Sequence, residues 1–473
     1  MNVLLIQPDY YLKEKAPELL QKRLLPSYSL ILLASLLEQK GHKAKVLDSF
    51  SNWVLTGKKN ENDLKEGLKI LCEREKFDLI GICVYTPLRK EAIELCRLAK
   101  ELCPNAKIVL GGPHPTRLWQ SMLDEYAGLV DFILLGGADQ SLLELAENLE
   151  GRGTARYKIN GLAWISQGGE IRANSRPIIN IDLKNQPPVK FDRYLELTGG
   201  EIPKRAYMIT SRGCKFWCNF CSQLWKKLIF HPLERAIEEA KHLIEEIKVE
   251  ELVIYDECLG AKPEYHQRFF QALAGFSRQA SLIGISHFQL LQKDWLLAFK
   301  NAGGEAILLG LESGNPKLRR KMNKHISDDE ICKGIELVRE VGLKLGIYTM
   351  VGFPNESIAD TYATYKLLDK IQPEQVIACV YEIKPGDMMI EFGLKAKMLS
   401  ESDWLNPDRR IINYMSEPEL EQATALADLL ETTFTKEPIL VDLYPSWWLL
   451  GWSEEKRAQA KERAKKELEQ CQS

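Results

Sequence analysis

No apolar run in this chain is long enough to cross a bilayer. The longest, Leu30 to Leu37, is broken by Ser35 and falls far short of the roughly 20 residues a spanning helix needs. A basic leader is also missing: Met1-Asn2-Val3-Leu4-Leu5-Ile6-Gln7-Pro8-Asp9 has neither the positive start nor the apolar stretch of a signal peptide. Neither charge is in excess. The 63 basic and 66 acidic side chains leave a net charge of −3, which gives no electrostatic case for nucleic acid or an anionic membrane. The 11 cysteines are odd in number and scattered, so they do not make a secreted disulfide framework. No internal repeat or low-complexity segment breaks the chain. These absences predict a reduced, cytoplasmic protein without a membrane span or a nucleic-acid partner. What remains is ordinary globular composition, 45% hydrophobic and 27% charged, over 473 residues, enough for two or three cored domains.

The first 150 residues alternate short apolar runs with helical patterns. Strands are expected at Val3–Ile6, Ala44–Leu47, Leu79–Val84, Ile108–Leu110 and Phe132–Leu135, with helices at Ser29–Glu38, Lys90–Leu102 and Ser141–Leu149. Apolar strands ending in glycine, as at Gly111-Gly112-Pro113 and Gly136-Gly137, argue for an α/β, doubly wound parallel sheet. Ligands of such sheets sit beyond the carboxyl ends of the strands. Residues 151–200 break the pattern with a hairpin, Ile159–Ser166 and Glu170–Arg172, and an extended linker at Asn185-Gln186-Pro187-Pro188. A second alternation fills 201–390. Its strands are expected at Ala206–Ile209, Glu251–Tyr255, Leu282–Ile285, Ala306–Leu309, Leu345–Val351 and Gln375–Val380. Helices fall at Leu233–Ile247, Trp295–Asn301, Asp328–Val341 and Ile358–Ile371. Residues 391–473 form a helical extension with aromatics at Trp447, Trp448 and Trp452, expected to close the mouth of the second unit.

Cys214, Cys218 and Cys221 lie just after the first strand of that second series, in Thr210-Ser211-Arg212-Gly213-Cys214-Lys215-Phe216-Trp217-Cys218-Asn219-Phe220-Cys221. Three thiolates so close can grip one metal centre. Structural zinc wants four closed ligands, and no fourth Cys or His follows nearby. Three cysteines on a four-iron cluster leave one iron open for chemistry. A zinc knot and three unrelated buried thiols stay open as alternatives. Arg212 would place positive charge near an anionic cluster or cap the loop. Cys258 reads as a small buried hydrophobe, and Cys72, Cys83, Cys96, Cys103, Cys332, Cys379 and Cys471 as packing residues.

The cysteine spacing, with an aromatic before the third Cys, resembles the signature of radical S-adenosylmethionine (radical SAM) enzymes. The resemblance implies a partial barrel of six β/α units and a [4Fe-4S] cluster on Cys214, Cys218 and Cys221. The open iron would chelate S-adenosylmethionine and cleave it reductively to a 5′-deoxyadenosyl radical. It also implies cofactor contacts at strand ends. Asp256-Glu257 would meet the ammonium, and Glu312-Ser313 of Gly310-Leu311-Glu312-Ser313-Gly314 the ribose and carboxylate. Gly352 of Gly352-Phe353-Pro354-Asn355-Glu356, with Phe220, would lie at adenine. Plain turns are the structural alternative for the last two segments.

The N-terminal unit resembles the cobalamin-binding domain that precedes the barrel in one radical SAM subclass. The matching stretches are Val3 to Pro8, Leu37 to His42, Asp78-Leu79-Ile80-Gly81-Ile82 with Thr86, Gly111-Gly112-Pro113-His114-Pro115-Thr116, and Val130-Asp131-Phe132-Ile133 with Gly136. Together the two resemblances cover about residues 1–390. They imply cobalamin contacts at Thr86, Gly111, Gly112, Pro113, His114 and Gly136. Two departures stand out. The histidine of D-x-H-x-x-G is absent after the first strand, where the chain has Asp9-Tyr10-Tyr11-Leu12-Lys13-Glu14. The usual Gly-Glu-Gly-Glu is Gly136-Gly137-Ala138-Asp139. The first predicts a corrin without a protein histidine on its lower face. The expected function is methylation of an unactivated carbon of a small-molecule or lipid substrate, with a reductant such as flavodoxin or ferredoxin as partner. The alternatives are oxidative cyclisation or rearrangement, with or without cobalamin, and a non-catalytic corrinoid or cluster sensor.

Overall fold

The computed structural model describes residues 1–9, 26–58, 63–175, 183, 186–223, 227–387, 399–406, 412–440 and 450–471. Tyr10 to Glu14, Asn185, Trp447 and Trp448 lie outside them. The chain divides into two compact units. One comprises Met1–Tyr207, Glu234–Glu250 and Trp404–Asp408; the other comprises Met208–Leu233, Glu251–Asp403 and Arg409–Ser473.

In the first unit the apolar runs become strands β1 (Asn2–Ile6), β2 (Lys43–Leu47), β3 (Leu79–Cys83), β4 (Lys107–Gly111) and β5 (Phe132–Leu134). They are parallel, in the order β2-β1-β3-β4-β5. Buried side chains such as Leu4, Ile6, Ile80, Ile82, Ile108, Leu110 and Ile133 face helices, each worth about 1.5–3 kcal/mol against exposure. That two-sided burial is why the strands read as continuous apolar runs. The expected hairpin, β6 (Leu162–Ile165) and β7 (Ile171–Ala173), does not stand apart. β6 pairs antiparallel with β5 and extends the sheet to seven strands. The linker is pinned to the helix Leu233–Lys241 and the turn after it. Glu239 accepts from the Val189 amide at 2.9 Å and the Tyr28 hydroxyl at 2.8 Å, and His242 Nε2 accepts from the Phe191 amide at 3.1 Å. The helices Ser49–Thr56, Leu64–Arg74 and Pro113–Glu125 were not expected from periodicity. The first is set by a capping box between Asp48 and Ser51.

The second series folds as a curled half-barrel. Its strands are β8 (Arg205–Met208), β11 (Glu251–Leu259), β12 (Ser281–Ser286), β13 (Gly304–Glu312), β14 (Lys344–Val351) and β15 (Gln375–Val380), in sequence order across the sheet. A short ribbon of β9 (Ser211–Arg212) and β10 (Ile229–Phe230) pairs antiparallel beside it. β11 runs four residues beyond the expected Tyr255, so Asp256 and Glu257 lie within the strand and not after it. The helices after β13 and β14 start at capping boxes, Ser327 with Glu330 and Ser357 with Asp360. The C-terminal helix Glu417–Phe434 covers β15, the last strand of the sheet. Thr435 Oγ1 accepts from the Val376 amide at 3.1 Å and donates to its carbonyl at 3.0 Å. Glu431 accepts from the Ala378 amide at 3.3 Å. Edge groups that would otherwise recruit another strand are thereby satisfied. The described part of the extension thus seals a sheet edge. Its segment 412–415 also reaches a strand end, where Tyr414 donates to the Gly352 carbonyl at 2.9 Å.

Candidate functional site

The cysteine loop is built from its neck outward. β9 and β10 close the neck, and Gly213, at φ 93°, turns the chain in a region that favours glycine. Three consecutive residues of β11 then grip the loop. Asp256, 1% exposed, accepts four hydrogen bonds. Its Oδ1 takes the amides of Thr210 and Ser211 at 2.6 and 3.2 Å, and its Oδ2 takes their hydroxyls, both at 2.6 Å. Glu257 accepts from the Gly213 amide at 2.6 Å, and desolvation pushes its carboxyl up against that bond. Cys258 Sγ lies 3.3 Å from Cys214 Sγ. The far side of the loop is tied to the segment after β13. Asn219 donates to the Met322 and Lys321 carbonyls at 2.9 and 2.8 Å, and Asn323 donates to the Trp217 carbonyl at 2.5 Å. Phe216 stacks on His287, at the end of β12, with centroids 3.9 Å apart.

Cys214, Cys218 and Cys221 are half-buried, and Phe220 is half-buried between the last two. Among the described residues no three His, Cys, Asp or Glu side chains converge on a single-ion position. The three thiols share one loop, close enough for Cys214 and Cys221 to bear on Cys218 electrostatically, a donor set that fits a cluster whose ligands bind separate irons.

Glu312 sits at a bulge ending β13, at φ 64°. Its Oε1 accepts from Lys324 Nζ at 2.6 Å, with the lysine 5% and the glutamate 13% exposed. Gly310 leaves room for this pair, since a Cβ there would stand 2.5 Å from Lys324 Nζ and 2.6 Å from Glu312 Oε1. Burial pushes the Cys218 thiol up to about 11, while the field of Lys324 opposes the shift. Ser313 is engaged in a turn, its hydroxyl accepting from the Asn315 amide at 3.1 Å. Gly352, at φ 84°, forms a separate nest. Its amide and that of Phe353 donate to Glu356 Oε2 at 2.6 and 3.0 Å. The triad, Asp256, Glu257 and Glu312 are therefore brought into one neighbourhood; Ser313 and Gly352 carry their own local networks. Lys324, His287 and the Cys258 contact were not expected. No local pattern marks them, because each gains its neighbour only through the barrel.

In the first unit Thr86, Gly111, Gly112, Pro113, His114 and Gly136 all gather at the carboxyl ends of β3, β4 and β5. Gly112 has φ 99°, and a Cβ would meet the Val84 carbonyl oxygen at 2.9 Å. His114 Nδ1 is 3.2 Å from Thr86 Oγ1, and the Thr86 carbonyl accepts from Arg89 at 2.6 Å. Burial, with the Arg89 charge, holds His114 down at about 3, so it is neutral. Thr116 Oγ1 accepts from the Gly136 amide at 2.9 Å. A Cβ at Gly111 or Gly136 would meet nothing within 4 Å, which leaves open space above the strand ends that suits a bulky flat ligand.

The model of the radical SAM superfamily matches residues 208–368, and that of the B12 binding domain matches residues 23–146. The chain is a B12-binding radical SAM protein. The radical SAM match begins at the last residue of β8 and takes in the cysteine loop, β11, Glu312 and Lys324; the B12-binding match takes in every strand end named in the first unit. Among relatives of this radical SAM protein is an uncharacterized methyltransferase of Pyrococcus horikoshii, 24% identical over 83% of the chain and 84% of the relative. An anaerobic magnesium-protoporphyrin IX monomethyl ester cyclase of Rubrivivax gelatinosus is 26% identical over 73% of the chain, which spans only 63% of that enzyme. Among solved structures, the radical SAM methyltransferase TsrM of Kitasatospora setae, with cobalamin and a [4Fe-4S] cluster bound, superposes with a TM-score of 0.70 at 16% identity, covering 98% of this chain and 99% of that one. The cobalamin-dependent radical SAM enzyme OxsB gives 0.69 at 15% identity, over 90% and 66%. At these identities the likeness establishes the fold.

Proposed function

We propose that this protein is a cobalamin-dependent radical SAM methyltransferase acting on an unactivated carbon of a small molecule. The observation that carries the reading is the pairing, in one chain, of the gripped three-cysteine loop with a glycine-lined cradle at the ends of β3, β4 and β5. The methyltransferase-named relative supports methyl transfer over cyclisation, because the chain spans 84% of it against 63% of the cyclase.

In this reading Cys214, Cys218 and Cys221 hold a [4Fe-4S] cluster. Phe220, Glu257, Glu312 and Gly352 surround S-adenosylmethionine, with the buried Asp256 and Ser313 supporting them from behind, and Thr86, Gly111, Gly112, Pro113, His114 and Gly136 line the cobalamin site. When bound, the cluster delivers one electron to S-adenosylmethionine and the corrin carries a methyl group. The chain's own residues do the positioning. Asp256 and Glu257 act through Thr210, Ser211 and Gly213 to fix where the thiols stand. Lys324 and Glu312 set paired charge beside Cys218. His114, held neutral by burial, hydrogen-bonds Thr86 through Nδ1, which fixes its ring in the wall of the cradle. The electron comes from a small reductant such as flavodoxin or ferredoxin, in the cytoplasm. Among the described residues no helix is long and apolar enough to cross a membrane, and the net charge of −3 favours a small molecule over nucleic acid.

The test is anaerobic turnover with S-adenosylmethionine carrying a deuterated methyl group, hydroxocobalamin, a reductant and a panel of small molecules. Methyl transfer gives 5′-deoxyadenosine together with a product carrying the labelled methyl. Formation of 5′-deoxyadenosine with an unlabelled, oxidised or rearranged product replaces this reading with the cyclase one. Neither product across the panel, from fully loaded protein, argues for a sensor.

A further inference from the structure

The grip of β11 on the cysteine loop is sequential. Asp256 takes Thr210 and Ser211, Glu257 takes Gly213, and Cys258 takes Cys214. The first two contacts fix backbone and hydroxyls; the third falls on a sulfur of the triad itself. Cys258 is fully buried, its sulfur accepts from the Lys215 amide, and it lies 3.3 Å from Cys214 Sγ. Its rotamer is therefore set from two sides. A second thiol pair, Cys103 and Cys72 at 3.2 Å, shows that proximity alone carries no message. What singles out Cys258 is that its partner belongs to the triad.

A cysteine bound to iron is a thiolate without a proton, so a neighbouring sulfur can keep such a contact only by donating its own S–H. Two thiolates at that separation would repel. Donation to a ligand sulfur draws negative charge off the cluster and eases its reduction, because hydrogen bonds to the sulfurs are among the factors that set its potential.

We propose that Cys258 is a positioning residue that donates its thiol proton to Cys214, raises the reduction potential of the cluster, and is not itself an iron ligand. The inference rests on the cluster reading above. It predicts that the protein reduces its cluster more readily than the same loop would unaided.

The experiment compares the parent, Cys258→Ala and Cys258→Ser as anaerobically reconstituted full-length proteins, by iron content and by dithionite titration followed by electron paramagnetic resonance. Both variants should hold the parent's iron. The midpoint of Cys258→Ala should shift to more negative potential, and that of Cys258→Ser, which keeps an O–H donor of similar size, should lie between. Parent-like potentials in both iron-loaded variants overturn the inference and leave the cluster reading intact. Loss of iron from both variants also overturns it, by making Cys258 a ligand. A parent that takes up no iron overturns the cluster reading instead.

Discussion

Asp256 offers the sharpest test of how the cysteine loop is held, because its two oxygens do different work. Oδ1 accepts from the backbone amides of Thr210 and Ser211, and Oδ2 from their hydroxyls, with His266 Nε2 3.6 Å from Oδ2. In Asp256→Ala the hydroxyls can turn elsewhere, but two buried amides lose their acceptor. At about 1–3 kcal/mol for each orphaned donor, more where the lost acceptor was charged, the loss should be about 3–5 kcal/mol. In Asp256→Asn the amide oxygen replaces Oδ1, and the side-chain NH2 donates to hydroxyls that reverse direction, so about 1–2 kcal/mol should go. For a unit of this size each kcal/mol moves the midpoint by about 2–4 °C. Asp256→Ala should therefore melt about 10 °C lower and Asp256→Asn a few degrees lower. The assay is thermal unfolding of the cluster-free protein followed by near-ultraviolet circular dichroism, with iron uptake measured in parallel. Equal losses in the two variants, or none in either, would refute the division of labour between the two oxygens.

At the other site, Gly112→Ala places a Cβ at φ 99° and 2.9 Å from the Val84 oxygen and should cost about 1–3 kcal/mol by urea unfolding. Gly111→Ala, whose Cβ meets nothing within 4 Å, should keep the parent's stability yet weaken cobalamin uptake measured by visible absorbance. Lys324→Met leaves Glu312 without its cation and should cost about 3 kcal/mol; combining it with Glu312→Gln should cost less than the two single losses added, which a double-mutant cycle measures. Burial pushes Glu356 up to about 7 from an ordinary 4.5. The folded state holds this proton more tightly than the unfolded chain, so its contribution to stability is complete below pH 4.5 and disappears as pH rises through about 7, a span of about 3 kcal/mol. Glu431 is also pushed up to about 7 by burial, while His114 and His287, held down at about 3, act in the opposite sense; Glu356→Gln should therefore lessen the loss of stability between pH 5 and pH 7.5 by about 2–3 kcal/mol relative to the parent.

Much of this protein is legible from sequence where local pattern and final role coincide. Strands buried on two faces announce themselves as apolar runs, so β1 to β5 and most barrel strands lie within a residue or two of expectation, while β11 and β13 end four and three residues later. The cysteine spacing and the glycines ending β4 and β5 are local, and they pointed to both candidate sites. What stayed hidden depends on tertiary partners. The strand character of Asp256 to Leu259 is masked by two carboxylates that are polar because they grip a loop more than 40 residues away in sequence. Lys324 looks like an ordinary surface lysine until the fold buries it against Glu312. Cys258 reads as a small hydrophobe until β11 sets it beside Cys214. The role of helix Glu417–Phe434 depends on an unpaired strand edge, which composition does not display.

The central claim is that one chain holds a cluster on Cys214, Cys218 and Cys221 and a corrin above β3, β4 and β5. The most direct measurement is iron and cobalt per chain, by elemental analysis, after anaerobic reconstitution of the parent, the Cys214→Ala/Cys218→Ala/Cys221→Ala triple variant and Gly111→Ala. The account predicts about four irons and about one cobalt in the parent, no iron but unchanged cobalt in the triple variant, and unchanged iron but less cobalt in Gly111→Ala. Iron retained by the triple variant, or a parent without cobalt, would contradict it.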